Sequence, residues 1–173
     1  MQLTRLPLPQ LRPFVRLLWA SEPEGTPRER PGAREHVLPT GGMHLVFRLS
    51  GPPLRLFHDD EDARGYTVGH AMVGGTRSAF FVRDVSLQTR SVGIMLRPGA
   101  AKALLGAPED ALAGRHTPLE ALWGTAAGFA LEQLHAAESV EGQLEIVDAL
   151  LSARLAASTA RRLHPAVAQA LAS

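Results

Sequence analysis

The residues able to do chemistry are few and scattered. Histidines stand at 36, 44, 58, 70, 116, 135 and 164, and there is no cysteine. A metalloenzyme built on β-strands needs two or three His and a carboxylate converging on one ion, with a coordination position left open. His36, His44 and His70 all fall on predicted strands and Glu35 adjoins the first, but no His-x-His or His-x-x-x-x-Glu element links them. The other reading is a set of scattered, half-buried histidines, and the expectation is neither metal nor cofactor. Nucleophilic catalysis has no cysteine and no Gly-x-Ser-x-Gly to work with, so the chain is expected not to be an enzyme.

Binding chemistry is better supplied. A guanidinium matches a carboxylate in a two-pronged fork, which makes Arg48 and Arg97 candidates for holding an anionic group. Trp19 offers a broad apolar face. Trp19, His36, His44, Arg48, His70 and Arg97 form the candidate ligand-binding set. Gly74-Gly75-Thr76-Arg77 is too short to cradle a phosphate and precedes a strand instead of a helix, so it is expected to be a hairpin turn. His58-Asp59-Asp60-Glu61-Asp62 lacks the spacing, glycine and terminal Glu of an EF-hand loop and reads as a solvated loop tip.

The elements that must position these residues divide at residue 98. Before it, short apolar runs alternate with Gly and Pro. Strands are expected at 14–20, 36–38, 43–50, 54–57, 66–73, 76–82, 85–90 and 91–96, a spacing that fits a barrel or sandwich. In 43–50, Met43, Leu45, Phe47 and Leu49 share one face and His44, Val46 and Arg48 the other. After residue 98 the chain turns helical. Pro98 suits the first turn of a helix that Gly106 ends. A helix over 119–137 carries Leu122, Ala126, Phe129 (or Ala130) and Leu134 on one side. Ser139 is the expected N-cap of the next, with a stripe at Val140, Leu144, Val147, Leu151 and Leu155. The fold class is therefore α+β: a β-barrel or sandwich over 1–98, then a helical hairpin over 99–157. Residues 158–173 read as a linker and the start of a further helix, as if another domain followed.

Composition narrows the function classes. The 173 residues are 45% hydrophobic and 20% charged, as in an ordinary globular domain. A net charge of +1 gives no strong pull on nucleic acid or anionic membrane. The N-terminus has no signal-peptide pattern and no apolar run approaches a membrane span, so a cytoplasmic location is expected.

Two blocks carry a resemblance. The first is Glu35-His36-Val37-Leu38-Pro39-Thr40-Gly41-Gly42-Met43-His44-Leu45-Val46-Phe47. The second runs from Gly93-Ile94-Met95-Leu96-Arg97-Pro98-Gly99-Ala100 through Leu104-Leu105-Gly106-Ala107-Pro108 to Thr117-Pro118-Leu119-Glu120-Ala121-Leu122-Trp123-Gly124. With Pro13-Phe14-Val15 and Trp19, they resemble the N-terminal sensor half of bacterial AraC-type transcriptional regulators. Thr40 departs from that family's usual Leu-Pro-Asp-Gly, and His44 stands where an acid often precedes Leu-Val-Phe.

The resemblance implies a cupin-like barrel, a small-molecule effector, a helical dimerisation region and an attached helix-turn-helix domain that binds DNA. On that basis Leu144, Val147, Leu151 and Leu155 are the expected seam of a homodimer. The alternatives are a cupin-type metalloenzyme and a ligand-free dimeric interaction domain.

With no recognition helix and almost no net charge, residues 1–173 alone are expected not to bind a promoter sequence-specifically. Nanomolar, sequence-dependent binding in a gel shift at physiological salt would refute this.

Overall fold

The computed structural model describes residues 2–23, 25, 29–158 and 165–172. Among these residues ten strands are formed: β1 (Gln2–Arg5), β2 (Val15–Ser21), β3 (Arg34–Val37), β4 (Met43–Arg48), β5 (Leu54–Phe57), β6 (Tyr66–Gly69), β7 (Ala71–Gly74), β8 (Phe81–Asp84), β9 (Ser91–Leu96) and β10 (His116–Pro118). Six helices join them: α1 (Ala101–Leu105), α2 (Glu109–Leu112), α3 (Glu120–Trp123), α4 (Ala126–Ala136), α5 (Val140–Ala157) and α6 (Pro165–Ala172). The class is α+β, but the strands do not close into a barrel. They form a six-stranded antiparallel sheet, β1-β2-β9-β4-β7-β10, and a four-stranded one, β3-β8-β5-β6. The linker pair Arg161-Arg162 and His164 lie outside the described residues.

The barrel expectation fails because one predicted strand is two. Tyr66–Val73 breaks at Gly69, whose φ of 138° lies in a region that favours glycine. β6 pairs with β5 in the small sheet, and β7 pairs with β4 in the large one. The stretch 85–90 is not a strand either. Asp84 Oδ1 accepts the Ser86 N–H (2.8 Å) and Ser50 Oγ accepts the Arg90 N–H (2.7 Å), so side chains fold it into bends.

The large sheet has two different faces, set by period-two alternation. Leu18, Ala20, Leu45, Phe47, Val73, Val92 and Ile94 pack with Leu104, Leu105, Leu134, Leu144 and Leu151 from the helices in one core. The sheet and helices thus share one interior across the expected boundary at 98/99, and β10 returns to the sheet beside β7 from within the helical part. Gly106 ends α1 with φ 80°, as expected, and Ser139 Oγ caps α5 by accepting the Gly142 N–H at 3.1 Å. Pro98 does not start α1; it sits in the turn before Ala100, the residue preceding the helix. The expected 119–137 helix breaks at Gly124 into α3 and α4. Ala127, Ala130 and Leu134 form the buried side of α4, whereas Phe129 points outward. Trp123 is buried between the parts, donating Nε1–H to the Leu104 carbonyl (3.2 Å) under the Arg154 guanidinium.

The expected dimer seam is corrected here. Leu144, Val147 and Leu151 are 0–1% exposed within a single chain, and Leu155 is partly buried against the same core. α5 packs on α1, α4, β2 and the 3-10 turn at Pro9–Leu11, so the stripe is already covered. Asp148 on α5 fixes this docking: buried itself, it pairs with Arg5 (2.6 Å) and accepts the Leu8 N–H (3.2 Å). Leu151→Ala should therefore destabilise the chain by about 2–5 kcal/mol, whatever its oligomeric state. Phe129→Ala, at a 62% exposed position, should stay near neutral in the same urea titration.

Candidate functional site

The reverse face of the large sheet packs on the small sheet through Val46 and Met72 against Leu54 and Leu56, and opens beside that contact. Between them lies a cavity of about 890 Å³, within the range of small-molecule sites. Alternation decides what lines it. From the large sheet come Leu17, Trp19, His44, Val46, Arg48, Met72, Gly74, Met95 and His116; Leu54, Phe81, Arg83 and Asp84 close the other side. Val46, Leu54, Met72 and Phe81 belong to a second apolar cluster, separate from the main core.

Two glycines shape the floor. Gly93 is opposite Trp19 on β2 and Val46 on β4, and a Cβ there would collide with the indole ring. Trp19 can therefore lie down on the sheet only because residue 93 has no side chain. Gly74 is in register with His44 on one side and with His116 on the other. A Cβ on Gly74 would stand 3.3 Å from His116 Nε2. Gly74-Gly75 is not a hairpin turn: Gly75 N–H donates to Arg115 O and Gly114 N–H to Thr76 O, extending the β7–β10 contact.

The polar end of the cavity is organised around His116. Arg77 Nη2 lies 2.8 Å from His116 Nδ1. A guanidinium can only donate, so Nδ1 accepts and the ring proton sits on Nε2. Burial, then the charges of Arg77, Arg83 and His44, push the His116 pKa down to about 4. Burial also lowers the pKa of His44, whose Nε2 is 3.1 Å from Thr40 Oγ1. Arg77 stacks over Phe81 at 5.0 Å, and Phe81 meets the His116 ring edge-on at 4.6 Å. Arg48 is buried and donates Nε–H to Pro52 O (3.2 Å). Burial lowers its pKa, as does Arg83, with Asp84 opposing. The Arg48 and Arg77 guanidiniums stay charged at neutral pH.

Of the six expected ligand-binding residues, Trp19, His44 and Arg48 meet in the cavity. His36 does not. It pairs with Val82 on the opposite face of the small sheet from Phe81 and Arg83, and its Nε2 contacts Asp60 Oδ1 at 2.8 Å. His70 sits between β6 and β7, with Nε2 3.2 Å from Gly51 O. Arg97 follows the end of β9 and donates Nε–H to Arg12 O (2.8 Å). Sequence reasoning missed Arg77, Arg83 and His116. Arg83 follows from the alternation of β8, but β10 has three residues, too few for any periodicity to show. Among the described residues, no three His, Asp or Glu side chains come together to hold a metal ion. The acidic run 58–62 folds as a loop tip, with Asp62 accepting the N–H groups of His58, Arg64 and Gly65 and its pKa lowered to about 2.

Residues 3–118 match the family described as a domain of unknown function (DUF6597), and the chain belongs to that family. The matched stretch ends with β10 and contains every cavity residue named above. No curated protein and no solved structure matches the chain.

The depressed His116 pKa carries a stability consequence. Between its ordinary value of 6.5 and about 4, the unfolded chain binds a proton that the native ring refuses, so acid favours unfolding. Stability should fall as pH drops from about 6.5 toward 4, by at most roughly 3 kcal/mol from this residue, with His44 adding in the same direction. His116→Asn keeps an acceptor for Arg77 without the titration. Its urea midpoint should fall less than the parent's between pH 7.5 and pH 5, and equal falls would exclude His116 as the cause.

Proposed function

We propose that the chain is the small-molecule-sensing domain of an AraC-type transcriptional regulator, with a cupin-like arrangement of its two sheets. It acts by binding, without catalysis. It works in the cytoplasm as a homodimer and controls an attached DNA-binding domain. One observation carries this reading: the floor of the cavity is the reverse side of the sheet on which the helices pack. On β9, Ser91 and Met95 face the cavity while Val92 and Ile94 face α-helical side chains. A ligand that fits one position of Trp19 and its strand better than another biases the helical layer by that difference in affinity. Support also comes from the absence of a helix long and apolar enough to cross a membrane among the described residues. The dimer uses a surface other than Leu144, Val147 and Leu151, which are buried within one chain.

Residues 1–173 fused to the helix-turn-helix half of an AraC-type regulator give the test. A compound chosen because it raises the melting temperature of the purified chain should switch a reporter, and Trp19→Ala should abolish the response. A reporter unmoved at saturating compound would sink the sensing role.

A further inference from the structure

The inside of the cavity is chemically lopsided. One part is apolar: the indole of Trp19 over Gly93, with Leu17 on the same strand face and Val46 across Gly93. The other gathers Arg77, His116 and His44 beside Gly74. Carboxylates act on the other two cations. Arg83 is paired with Glu35 at 2.5–2.6 Å, and Arg48 feels the charge of Asp84. Among the described residues the cations that act on His116 are Arg77 and Arg83. Arg77 meets the His116 and Phe81 rings, and among the described residues it forms no ion pair with a carboxylate. Its Nε is buried with no hydrogen-bond partner among the described residues, which leaves a donor of a charged group unfilled. Such a group is costly unless an acceptor reaches it, and a charged acceptor serves best. The His116 tautomer adds a second donor, Nε2–H, on the side of Gly74.

We propose that the cavity binds an organic oxyanion: a carboxylate or phosphate monoester held by Arg77 and His116 Nε2–H, on an apolar, planar body that stacks on Trp19. The assignment rests on the sensing reading for its location and goes beyond it in naming the ligand class. A cavity of about 890 Å³ is far larger than an inorganic anion, so the apolar body supplies most of the contact area. The negative group supplies orientation, because at the Arg77 end it meets a cation and a second donor, His116 Nε2–H. The same cationic end repels a divalent metal, so the anion meets the side chains directly.

The probes are 2-naphthoate, 2-naphthyl phosphate, 2-naphthamide and inorganic phosphate, titrated calorimetrically into residues 1–173 at neutral pH. At least one of the two naphthyl anions should bind at least about tenfold more tightly than the amide, and inorganic phosphate should bind more weakly than either. The stronger of the two anions identifies the oxyanion. Arg77→Gln should bring the preferred anion down to the level of the amide while leaving the amide unchanged, and Trp19→Ala should weaken acid and amide alike. The comparison on the parent chain stands even if a variant fails to fold. Equal binding of anions and amide, or no binding of any naphthyl probe at millimolar concentration, overturns the ligand class. If the amide binds equally and switches the reporter fusion, the sensing role survives without the anion. If an anion binds as expected and the reporter stays flat, the ligand class stands without the sensing role.

Discussion

The structure depends on one constraint: each strand of the six-stranded sheet has only two sides, and both are in use. β4 shows it most clearly. Met43, Leu45 and Phe47 are buried among the helices, while His44, Val46 and Arg48 line the cavity. A one-residue slip of this strand would put a histidine and an arginine into the helical core and three large apolar side chains into the cavity. Each exchanged pair would cost several kcal/mol, from lost apolar burial of about 1.5–3 kcal/mol per side chain and from desolvated charge. The register that makes the core thus also makes the site. The buried Asp148 clamp on Arg5 and Leu8 holds the outer strand β1 and its connection against α5, completing the same layer.

Space on the cavity side is made by subtraction. Glycines inside strands weaken them, by loss of packing and by extra freedom in the unfolded chain. At Gly93 and Gly74 that cost is matched by a gain in geometry, since the first lets the indole lie down and the second gives two imidazoles room. What lies over these glycines is polar and cationic at one end, and the pKa of His116 near 4 is the mark of that environment. A neutral ring at physiological pH is a hydrogen-bonding group of fixed direction, here with its acceptor taken by Arg77.

Local signals in the sequence marked those elements that local chemistry determines. β5 spans the residues its apolar run demanded, Gly106 stops α1, and Ser139 caps α5. The alternation of β4 assigned His44 and Arg48 to a common face before any partner was known. What was not legible depends on distant chain. Nothing local says that Gly69 sends β6 and β7 to different sheets, and so barrel and sandwich were both left open where there are two sheets. A stripe on α5 shows that something covers it, but not whether the cover is another chain or the same one; here α1, β2 and the Pro9–Leu11 turn supply it. Three of the six expected site residues, His36, His70 and Arg97, lie outside the cavity for the same reason: a strand or loop assignment does not fix which face a histidine or arginine takes until the pairing is known.

The position of β10 bears on how the site and the helices are joined. His116 at one end of this strand belongs to the cavity, while Leu119, one residue beyond its other end, is fully buried in the helical core. The Leu119 N–H donates to Ala71 O on β7, and its carbonyl accepts the N–H groups of Leu122 and Trp123 as α3 begins. Trp123 in turn contacts Leu104 on α1, over which Arg154 of α5 also lies. A short run of chain therefore links the imidazole beside Arg77 to three helices by hydrogen bonds and packed side chains. In the proposed reading, an anion drawing His116 and Arg77 together shifts β10 against β7. Because Leu119 has no free volume around it, α3 must move with it or oppose the movement. Either response makes binding free energy depend on the arrangement of the helical layer, which is the coupling a sensing domain requires.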